Sequence, residues 1–426
     1  MNRKKSKILV FIMTAVLAFS LLLTACGGSE PAGGKGPAGS STAGSGAAQA
    51  ESAQTKEAAD DSSEADDNSS AAATLKEAPE LAGLTLESTL EKKYADQFDV
   101  FYYSDGYKVL SVSDGRQYLI VPEGKEAPEG AEENMSILYA PLDTCYLAAT
   151  SAMSLIVAID ALDNITMSGT DASGWFIPEA KAALENGSIK FAGKYSEPDY
   201  EMLIDEDCCL AIESMMILHS PKVQEMIEKM DIPVFVDCAS REDHALGRTE
   251  WVKLYGAMFN KEAEAEAIFN EKEKVLTDLE DFPNTEKTVA LFQVKPDGSV
   301  VIRNPKDYLT TMIELGGGRY AFRDMNVDTN SSLVNISMEE FYNTAVDADY
   351  LIYNSTVSGA ISSYDDLIAK SELLADCKAV KEGNVWNCGN NMYQNTINDI
   401  EFLKDINTML TTGDESNMTY LSKLEK

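Results

Sequence analysis

Apolar residues recur at a helical spacing between Leu246 and Phe282. They fall on one face of the predicted helix, at Trp251, Leu254, Tyr255, Met258, Ala265, Ile268, Phe269, Val275, Leu276 and Leu279. This spacing is typical of an α-helix with one buried face, and Pro283 ends it because proline cannot continue a helix. The pattern therefore predicts one connecting helix over residues 246–282. A coiled coil would need a longer heptad seam, which favours a helix that joins two lobes.

Short apolar runs separated by turn residues occupy the stretch from Leu84 to Pro122. The runs are Phe98–Tyr103, Tyr107–Val112 and Arg116–Val121, with Asp105-Gly106 and Asp114-Gly115 between them. Asp-Gly pairs between apolar runs are typical of tight hairpin turns. The stretch therefore predicts a small β-meander.

From Ser136 onward, predicted strands alternate with predicted helices. Strands are predicted at 137–139, 165–168, 208–212, 232–237, 288–294, 299–303, 350–353 and 385–387, and helices at 151–162, 177–184, 221–230, 306–314, 338–345, 365–369 and 397–411. Such alternation predicts parallel sheets covered by helices. The predicted fold class is α/β, with two lobes of largely parallel sheet joined by one long central helix. The N-terminal lobe, with the meander, spans 84–245 and the C-terminal lobe spans 283–426.

The first 26 residues have the pattern of a targeting segment. Positive residues precede an apolar stretch, Ile8–Leu23, which is short for a membrane span. Leu23-Thr24-Ala25-Cys26 resembles the bacterial lipobox, in which the cysteine receives diacylglycerol and becomes the first residue of the mature protein. Cys26 is therefore predicted to anchor the protein to the outer face of the membrane. Residues 27–80 are rich in Gly, Ala, Ser and acidic residues, which predicts a flexible tether.

Charge and composition narrow the classes of partner and chemistry. The formal net charge of −35 argues against a nucleic-acid partner, which needs clustered Lys and Arg. The only two histidines, His219 and His244, make a bare metal-ion site unexpected, and no cofactor is predicted. No GxSxG, HExxH, P-loop or GxGxxG motif lies in a suitable strand–helix setting, so the chain is not expected to be an enzyme.

Six cysteines follow Cys26, and outside the cytoplasm an even number permits disulfides. Cys377 and Cys388 flank one predicted strand–turn unit and are candidates for a pair. The other four are Cys145, Cys208, Cys209 and Cys238, and they are candidates for buried thiols. The absence of CxxC spacing argues against a zinc site and a redox motif.

Five short segments form an ordered set: Ser196–Glu201 with Met202-Leu203, Ile232–Val234, Leu315–Gly318, Ile336–Phe341 with Ala348–Ile352, and Ala379–Trp386. In this order they resemble the substrate-binding lipoproteins of ABC importers, in the helical-backbone group that serves iron–siderophore, haem and cobalamin uptake. The resemblance covers Ser136 to the C-terminus. In the first of these segments, which runs on to the strand Leu210-Ala211-Ile212, Asp207-Cys208 replaces the Pro-Asp of the family.

The resemblance implies a monomeric receptor that carries a chelated iron or tetrapyrrole to a membrane permease and its ATPase. In that family one glutamate at the tip of each lobe docks onto permease arginines, and the matching positions here are Glu201 and Glu339. Glu340 replaces Glu339 if the register shifts by one. Without the family, both are ordinary exposed glutamates near helix N-termini. A rival interpretation is a surface receptor or adhesin lipoprotein with this fold and no transport role.

Ligands of open α/β lobes bind outside the carboxyl ends of strands. Applied here, that rule gives as ligand-binding candidates Trp175, Tyr195, Glu213, Arg241, His244, Arg248, Arg303 and Tyr353. Aromatic faces with arginines suit a bulky anionic chelate. Trp175 and Tyr195 equally fit surface packing. Arg241 and Arg248 equally fit helix-entry residues paired with nearby glutamates.

Overall fold

The computed structural model describes residues 75–426 apart from 134, 280–281, 283, 328–330, 356–360 and 390. The predicted signal peptide, Cys26 and the tether up to residue 74 lie outside the described residues. The described residues belong to one compact unit, Ser52–Lys426. Within them, no helix combines the length and the apolar character that a membrane span requires.

The predicted three-stranded meander is confirmed, and it gains one further strand at each edge. The sheet is formed in sequence order by β1 (Leu86–Thr89), β2 (Phe98–Tyr103), β3 (Lys108–Val112), β4 (Gln117–Val121) and β5 (Ser136–Tyr139). β5 was expected in the lobe sheet but pairs in parallel with β4. Its alternating side chains explain this, since Leu138 enters the lobe core while Ile137 packs against the outer apolar cluster of the meander.

The first lobe contains a fully parallel five-stranded sheet in the order β12-β11-β6-β7-β8. Its elements are β6 (Cys145–Leu147), α1 (Thr150–Ala158), β7 (Ile165–Ser168), α2 (Pro178–Asn186), β8 (Lys190–Phe191), β9 (Gly193–Lys194), β10 (Glu197–Pro198), α3 (Tyr200–Asp205), β11 (Leu210–Ser214), α4 (Pro221–Glu228) and β12 (Val234–Asp237). β9 and β10 form a separate antiparallel ribbon. This lobe shares one hydrophobic core with the inner face of the meander.

The connection between the lobes is two helices, so the prediction of one unbroken helix over 246–282 was wrong. α5 (Ala245–Phe259) ends at Asn260, which has a left-handed backbone (φ 59°), and α6 (Glu262–Leu279) follows. Asparagine tolerates this conformation, and the N–H of Lys261 bonds the carbonyl of Gly256 at 2.7 Å. A Cβ at Gly256 would lie only 2.6 Å from that of Ala265, so glycine permits close packing of α6 on α5.

A lysine from the meander holds the break between these helices. The ammonium of Lys108 donates to the carbonyl of Ala257 at 2.9 Å and to the side chain of Asn260 at 2.7 Å, and it pairs with Glu262. Lys108 is buried. The meander therefore forms part of the connection between the lobes.

Two buried glutamates attach the segment before β2 to α5. Glu250 accepts hydrogen bonds from the backbone N–H groups of Lys93, Tyr94 and Ala95 at 2.8–3.0 Å. Glu242 accepts from Asp96, Gln97 and the indole of Trp251 at 2.9–3.1 Å. These glutamates were candidate partners of Arg241 and Arg248, but they accept from backbone and the Trp251 indole, and Glu250 also pairs with Lys253 at 3.2 Å.

The predicted tether ends earlier than residue 80. The carbonyls of Lys76, Glu77 and Pro79 accept hydrogen bonds from Ser111, Gln117 and Tyr103 of the meander. Residues 76–79 therefore belong to the folded part of the chain.

The second lobe has a mixed sheet in the order β16-β14-β13-β17-β18-β19, with β15 also on β13. Its elements are β13 (Lys287–Val294), β14 (Val300–Arg303), α7 (Tyr308–Leu315), β15 (Gly318–Tyr320), β16 (Leu333–Ile336), α8 (Met338–Ala345), β17 (Tyr350–Asn354), α9 (Tyr364–Lys370), α10 (Lys378–Glu382), β18 (Val385–Cys388), α11 (Asp399–Thr411) and β19 (Leu421–Lys423). The central pairs are parallel and the outer pairs are antiparallel. The α/β class is confirmed.

Candidate functional site between the lobes

A small pocket opens in the second lobe at the carboxyl ends of β13 and β17. Its lining residues are Leu291, Phe292, Gln293, Val301, Ile302, Arg303, Leu333 and Asn354. The cavity volume is about 10 Å³, which is on the scale of one water molecule. A bulky ligand would therefore need the surrounding side chains to move apart.

Arg303 and Asn354 direct donors at a single oxygen beside this pocket. The guanidinium of Arg303 and the amide of Asn354 both donate to the hydroxyl of Tyr393, the latter at 3.0 Å. The guanidinium also lies over the Tyr393 ring and 3.6 Å from the carboxylate of Asp307. Only 8% of the Arg303 side chain is exposed. Two convergent donors in a buried setting suit a carboxylate or carbonyl oxygen of a ligand.

Residues 392–398, between β18 and α11, connect the two lobes at this point, and we call them the lobe-crossing segment. The side chain of Gln394 accepts from the N–H of Phe176 and donates to the carbonyl of Gly174, both at 2.8 Å. The N–H of Ile397 donates to the hydroxyl of Ser154 at 3.3 Å, and the Ile397 side chain enters the core of the first lobe. Neighbouring residues of one segment therefore contact the pocket and the opposite lobe.

Trp175 lies in the core of the first lobe and is only 3% exposed. Its indole N–H is within hydrogen-bond distance of the hydroxyl of Ser168 at 3.2 Å and the carbonyl of Thr170 at 3.1 Å. The indole N–H is thus used in contacts within the first lobe and does not face a ligand. The adjacent Phe176, which sequence reasoning did not select, is half exposed and lies at the lobe crossing.

Arg248 also forms contacts within the protein. Its guanidinium bonds Asp399 of α11 at 2.8 Å and lies over the ring of Tyr308 at 4.3 Å. Arg248 and Asp399 are buried, and burial raises the pKa of Asp399 to about 6 although the guanidinium opposes that shift. The pair joins the connecting helix to the second lobe, so the prediction of a ligand contact is not supported by this geometry.

His244 caps the start of α5. Its Nδ1 accepts from the N–H of Leu246 at 3.1 Å, and its ring stacks on Tyr94 at 4.8 Å. Burial lowers the pKa of His244 and favours the neutral ring that this cap requires. A haem contact would need the cap to break.

Glu213 lies near the carboxyl end of β11 and is fully buried. Among the residues that the structure describes, neither carboxylate oxygen has a hydrogen-bond partner. Burial raises the pKa of Glu213 well above its usual value. Burial therefore favours the neutral form of the side chain, and burial of a polar group without a hydrogen-bond partner is costly for a residue that serves packing alone.

The remaining ligand candidates differ in position. Tyr353 is buried on β17 and packs edge-to-face with Phe292 at 5.6 Å. Tyr195 is half-buried against the core of the first lobe. Arg241 is half-buried at the end of a short 3-10 turn, Ala239–Arg241. The structure brings none of these three into the pocket of Arg303.

Glu201 and Glu339 are exposed in the first turns of α3 and α8, one on each lobe. Asp199 and Ser337 cap those helices through hydrogen bonds from the N–H groups of Met202 and Glu340. Neither glutamate side chain forms a hydrogen bond or ion pair within the described part of the chain. Both carboxylates are therefore open to solvent.

All six cysteines after Cys26 are free thiols. Cys377 and Cys388 are buried and unpaired with one another, so the predicted disulfide is absent. Over the described ranges, no group of three or more His, Cys, Asp or Glu residues is placed to hold a metal ion.

The periplasmic binding protein family matches residues 149–392. That range covers more than half of the chain, and the chain belongs to this family, whose members bind solutes and are not enzymes. The resemblance deduced from the ordered segments is thereby confirmed.

Two curated relatives are uncharacterized lipoproteins of Methanocaldococcus jannaschii. One is 26% identical over 276 residues, covering 61% of this chain and 63% of the relative. The other is 23% identical over 265 residues, covering 58% and 65%. The chain therefore matches less than two thirds of the length of either relative.

Solved structures show the same fold at low identity. The periplasmic heme binding protein HutB of Vibrio cholerae has a TM-score of 0.52 at 14% identity, covering 63% of this chain and 98% of that one. The petrobactin-binding protein YclQ of Bacillus subtilis has a TM-score of 0.51 at 14% identity, covering 63% and 92%. These neighbours are almost fully covered, while about a third of this chain lies outside the match.

Proposed function

We propose that this protein is a lipid-anchored, extracytoplasmic substrate-binding protein of an ABC importer. It binds a bulky chelate between its lobes, of the iron–siderophore or tetrapyrrole class, and delivers it to the permease. The observation that carries the proposal is the pair of donors on Arg303 and Asn354, which converge beside the segment that joins the lobes. Family membership supports the same role.

The hydroxyl of Tyr393 marks where a ligand oxygen would bind. A carboxylate or hydroxamate-type oxygen would replace this hydroxyl on Arg303 and Asn354 and gain a stronger, charge-assisted bond. Tyr393 is next to Gln394, so its displacement would pull on the hydrogen bonds to Gly174 and Phe176. Binding would thus be coupled to a small rearrangement of the two lobes.

The lipid anchor and the permease complete the proposed role. Cys26 would carry the lipid, and the exposed glutamates Glu201 and Glu339 would meet arginines of the permease. Bidentate carboxylate–guanidinium pairs at two separated points would fix orientation as well as add affinity.

The first test is a fluorescence titration of the full chain in detergent with ferric siderophores, haem and cobalamin. All three tryptophans are buried, at residues 175, 251 and 386. Absorbing chelates quench by energy transfer and need not touch the indoles, so a bound ligand should lower the emission saturably. If no chelate quenches at micromolar concentration, this ligand class is wrong. Binding without uptake by cells would favour a receptor without a transport role.

A further inference from the structure

Two cysteines lie side by side at the amino-terminal ends of the central strands of the first lobe. Cys145 begins β6 and Cys209 directly precedes β11, and the parallel pairing sets Leu210 opposite Cys145. The N–H of Cys209 bonds the carbonyl of Thr144 at 3.0 Å. The two sulfurs are 4.0 Å apart. The ligand candidates of the first lobe follow the carboxyl ends of its strands, so the two cysteines lie at the opposite edge of this sheet.

The two thiols differ in exposure and acidity. Cys145 is fully buried, whereas Cys209 is partly exposed. Hydrogen bonds from Cys145 and Thr144 lower the pKa of the Cys209 thiol to about 6, against the effect of burial. The contact with Cys209, together with burial, raises the pKa of Cys145. The lowered pKa favours the thiolate of Cys209, which is the partly exposed member of the pair, and thiolates are the reactive form.

We propose that Cys145 and Cys209 are a redox-active pair that closes to a disulfide, with Cys209 as the attacking thiol and Cys145 as the resolving thiol. Cys209 is one residue removed from the position opposite Cys145, so a strand spacing of about 4.8 Å and a rise of about 3.3 Å per residue put the two Cα atoms roughly 5.8 Å apart, within the range that a disulfide spans. Closure needs the sulfurs to approach by roughly 2 Å, since the S–S bond is about 2.05 Å long. Cys209 lies outside β11, so strand alternation does not fix its side chain on the far face of the sheet.

The chemistry is thiol–disulfide exchange with an external disulfide as oxidant. The Cys209 thiolate attacks one sulfur of that disulfide, forms a mixed disulfide and releases the other sulfur as a thiolate. Cys145 then loses its proton and attacks the sulfur of Cys209, which releases the second external thiolate. Two protein thiols are oxidised and one external disulfide is reduced to two thiols.

The other cysteines of the described chain provide internal controls. The thiols of Cys208 and Cys238 lie near the backbone carbonyls of Leu210 and Val236, and that of Cys388 lies 3.3 Å from the sulfur of Met392. Burial raises the pKa of each of these thiols to about 12. They should remain reduced under conditions that oxidise the pair.

The test uses the fully reduced full chain and oxidised glutathione, followed by peptide mapping under non-reducing conditions. Wild type should lose two hydrogens and yield a linked peptide that joins residues 145 and 209. Cys145→Ser should stop at a glutathione adduct on Cys209, and Cys209→Ser should show neither product. Cys377→Ser is the matched control and should behave as wild type. Closure should also raise the midpoint of thermal unfolding of wild type but not of the two pair variants.

Three outcomes would overturn the proposal: a lasting glutathione adduct on Cys209 in wild type, a link through another cysteine, or no reaction of the wild-type pair. Thermal melts of the reduced variants establish that they fold, and Cys145→Ala replaces Cys145→Ser if the latter does not. The readout needs no chelate and no permease, so its result is separate from that of the proposed function.

Discussion

Arg303 is a buried arginine whose guanidinium donates to the Tyr393 hydroxyl and lies 3.6 Å from the Asp307 carboxylate, and among the described residues it has no bidentate carboxylate partner. That arrangement retains donor capacity for a guest. Sequence reasoning selected Arg303 because it ends a predicted strand. It missed Tyr393 and Gln394, because they lie in short 3-10 turns that have no apolar periodicity.

Arg303→Gln should weaken chelate binding roughly tenfold or more, because a hydrogen bond to a charged group contributes about 1.5–3 kcal/mol. The measurement is the fluorescence titration. Arg323→Gln is the matched control, since Arg323 is exposed and pairs with Glu314 at 3.0 Å. If the two variants bind the chelate with equal affinity, Arg303 does not contact the ligand.

Glu213 should make stability depend on pH. Its pKa in the folded state is raised above the ordinary value of 4.5, so the folded chain keeps a proton that the unfolded chain loses. The contribution of this proton to stability is complete below about pH 4.5 and is lost as pH rises toward the folded pKa. Glu213→Gln cannot ionise, so its melting temperature relative to wild type should be higher at pH 8 than at pH 4.5.

The readout is how the melting temperature of Glu213→Gln relative to wild type changes between the two pH values. Any effect of the buried glutamine on packing is the same at both pH values and cancels in this comparison. Glu179→Gln is the control, since Glu179 is exposed in the first turn of α2. A difference for Glu213→Gln that stays constant with pH would show that the group ionises freely in the fold.

At the scale of elements, local sequence patterns predicted most strands and helices. The elements that they did not predict depend on contacts between residues far apart in sequence. The turn chemistry of Asp-Gly pairs predicted the meander, and the apolar alternation predicted both lobes. The break at Asn260 depends on Lys108, which is far away in sequence, and on the missing side chain of Gly256. The position of β5 likewise depends on strand pairing, which single-strand patterns do not contain.

Lys108→Met should lower the free energy of unfolding by about 1–3 kcal/mol, because it leaves buried acceptors on Ala257 and Asn260 without a donor. Chemical denaturation measures this change. Lys261→Met is the control, since Lys261 has only a loose ion pair with Glu264 at 3.6 Å and should change stability by about 0.5 kcal/mol or less. Equal losses would show that Lys108 does not hold the helix break.

At the scale of the whole molecule, delivery to the permease and binding of the chelate should depend on different residues. Glu201→Ala with Glu339→Ala should leave chelate affinity unchanged while uptake by cells falls, because both side chains are exposed and neither lines the pocket of Arg303. Glu179→Ala is the matched control for an exposed glutamate in a first helical turn. Glu340→Ala identifies which residue of α8 acts. Normal uptake by the double variant would refute the docking role.

The meander gives the lobe connection a mechanical property that the sequence pattern alone did not indicate. One ammonium group joins β3 to both sides of the helix break, so a large change in the angle between α5 and α6 would cost three contacts. Cargo exchange in the proposed receptor should therefore proceed by short sliding movements near residues 392–398 that leave the contacts of Lys108 in place.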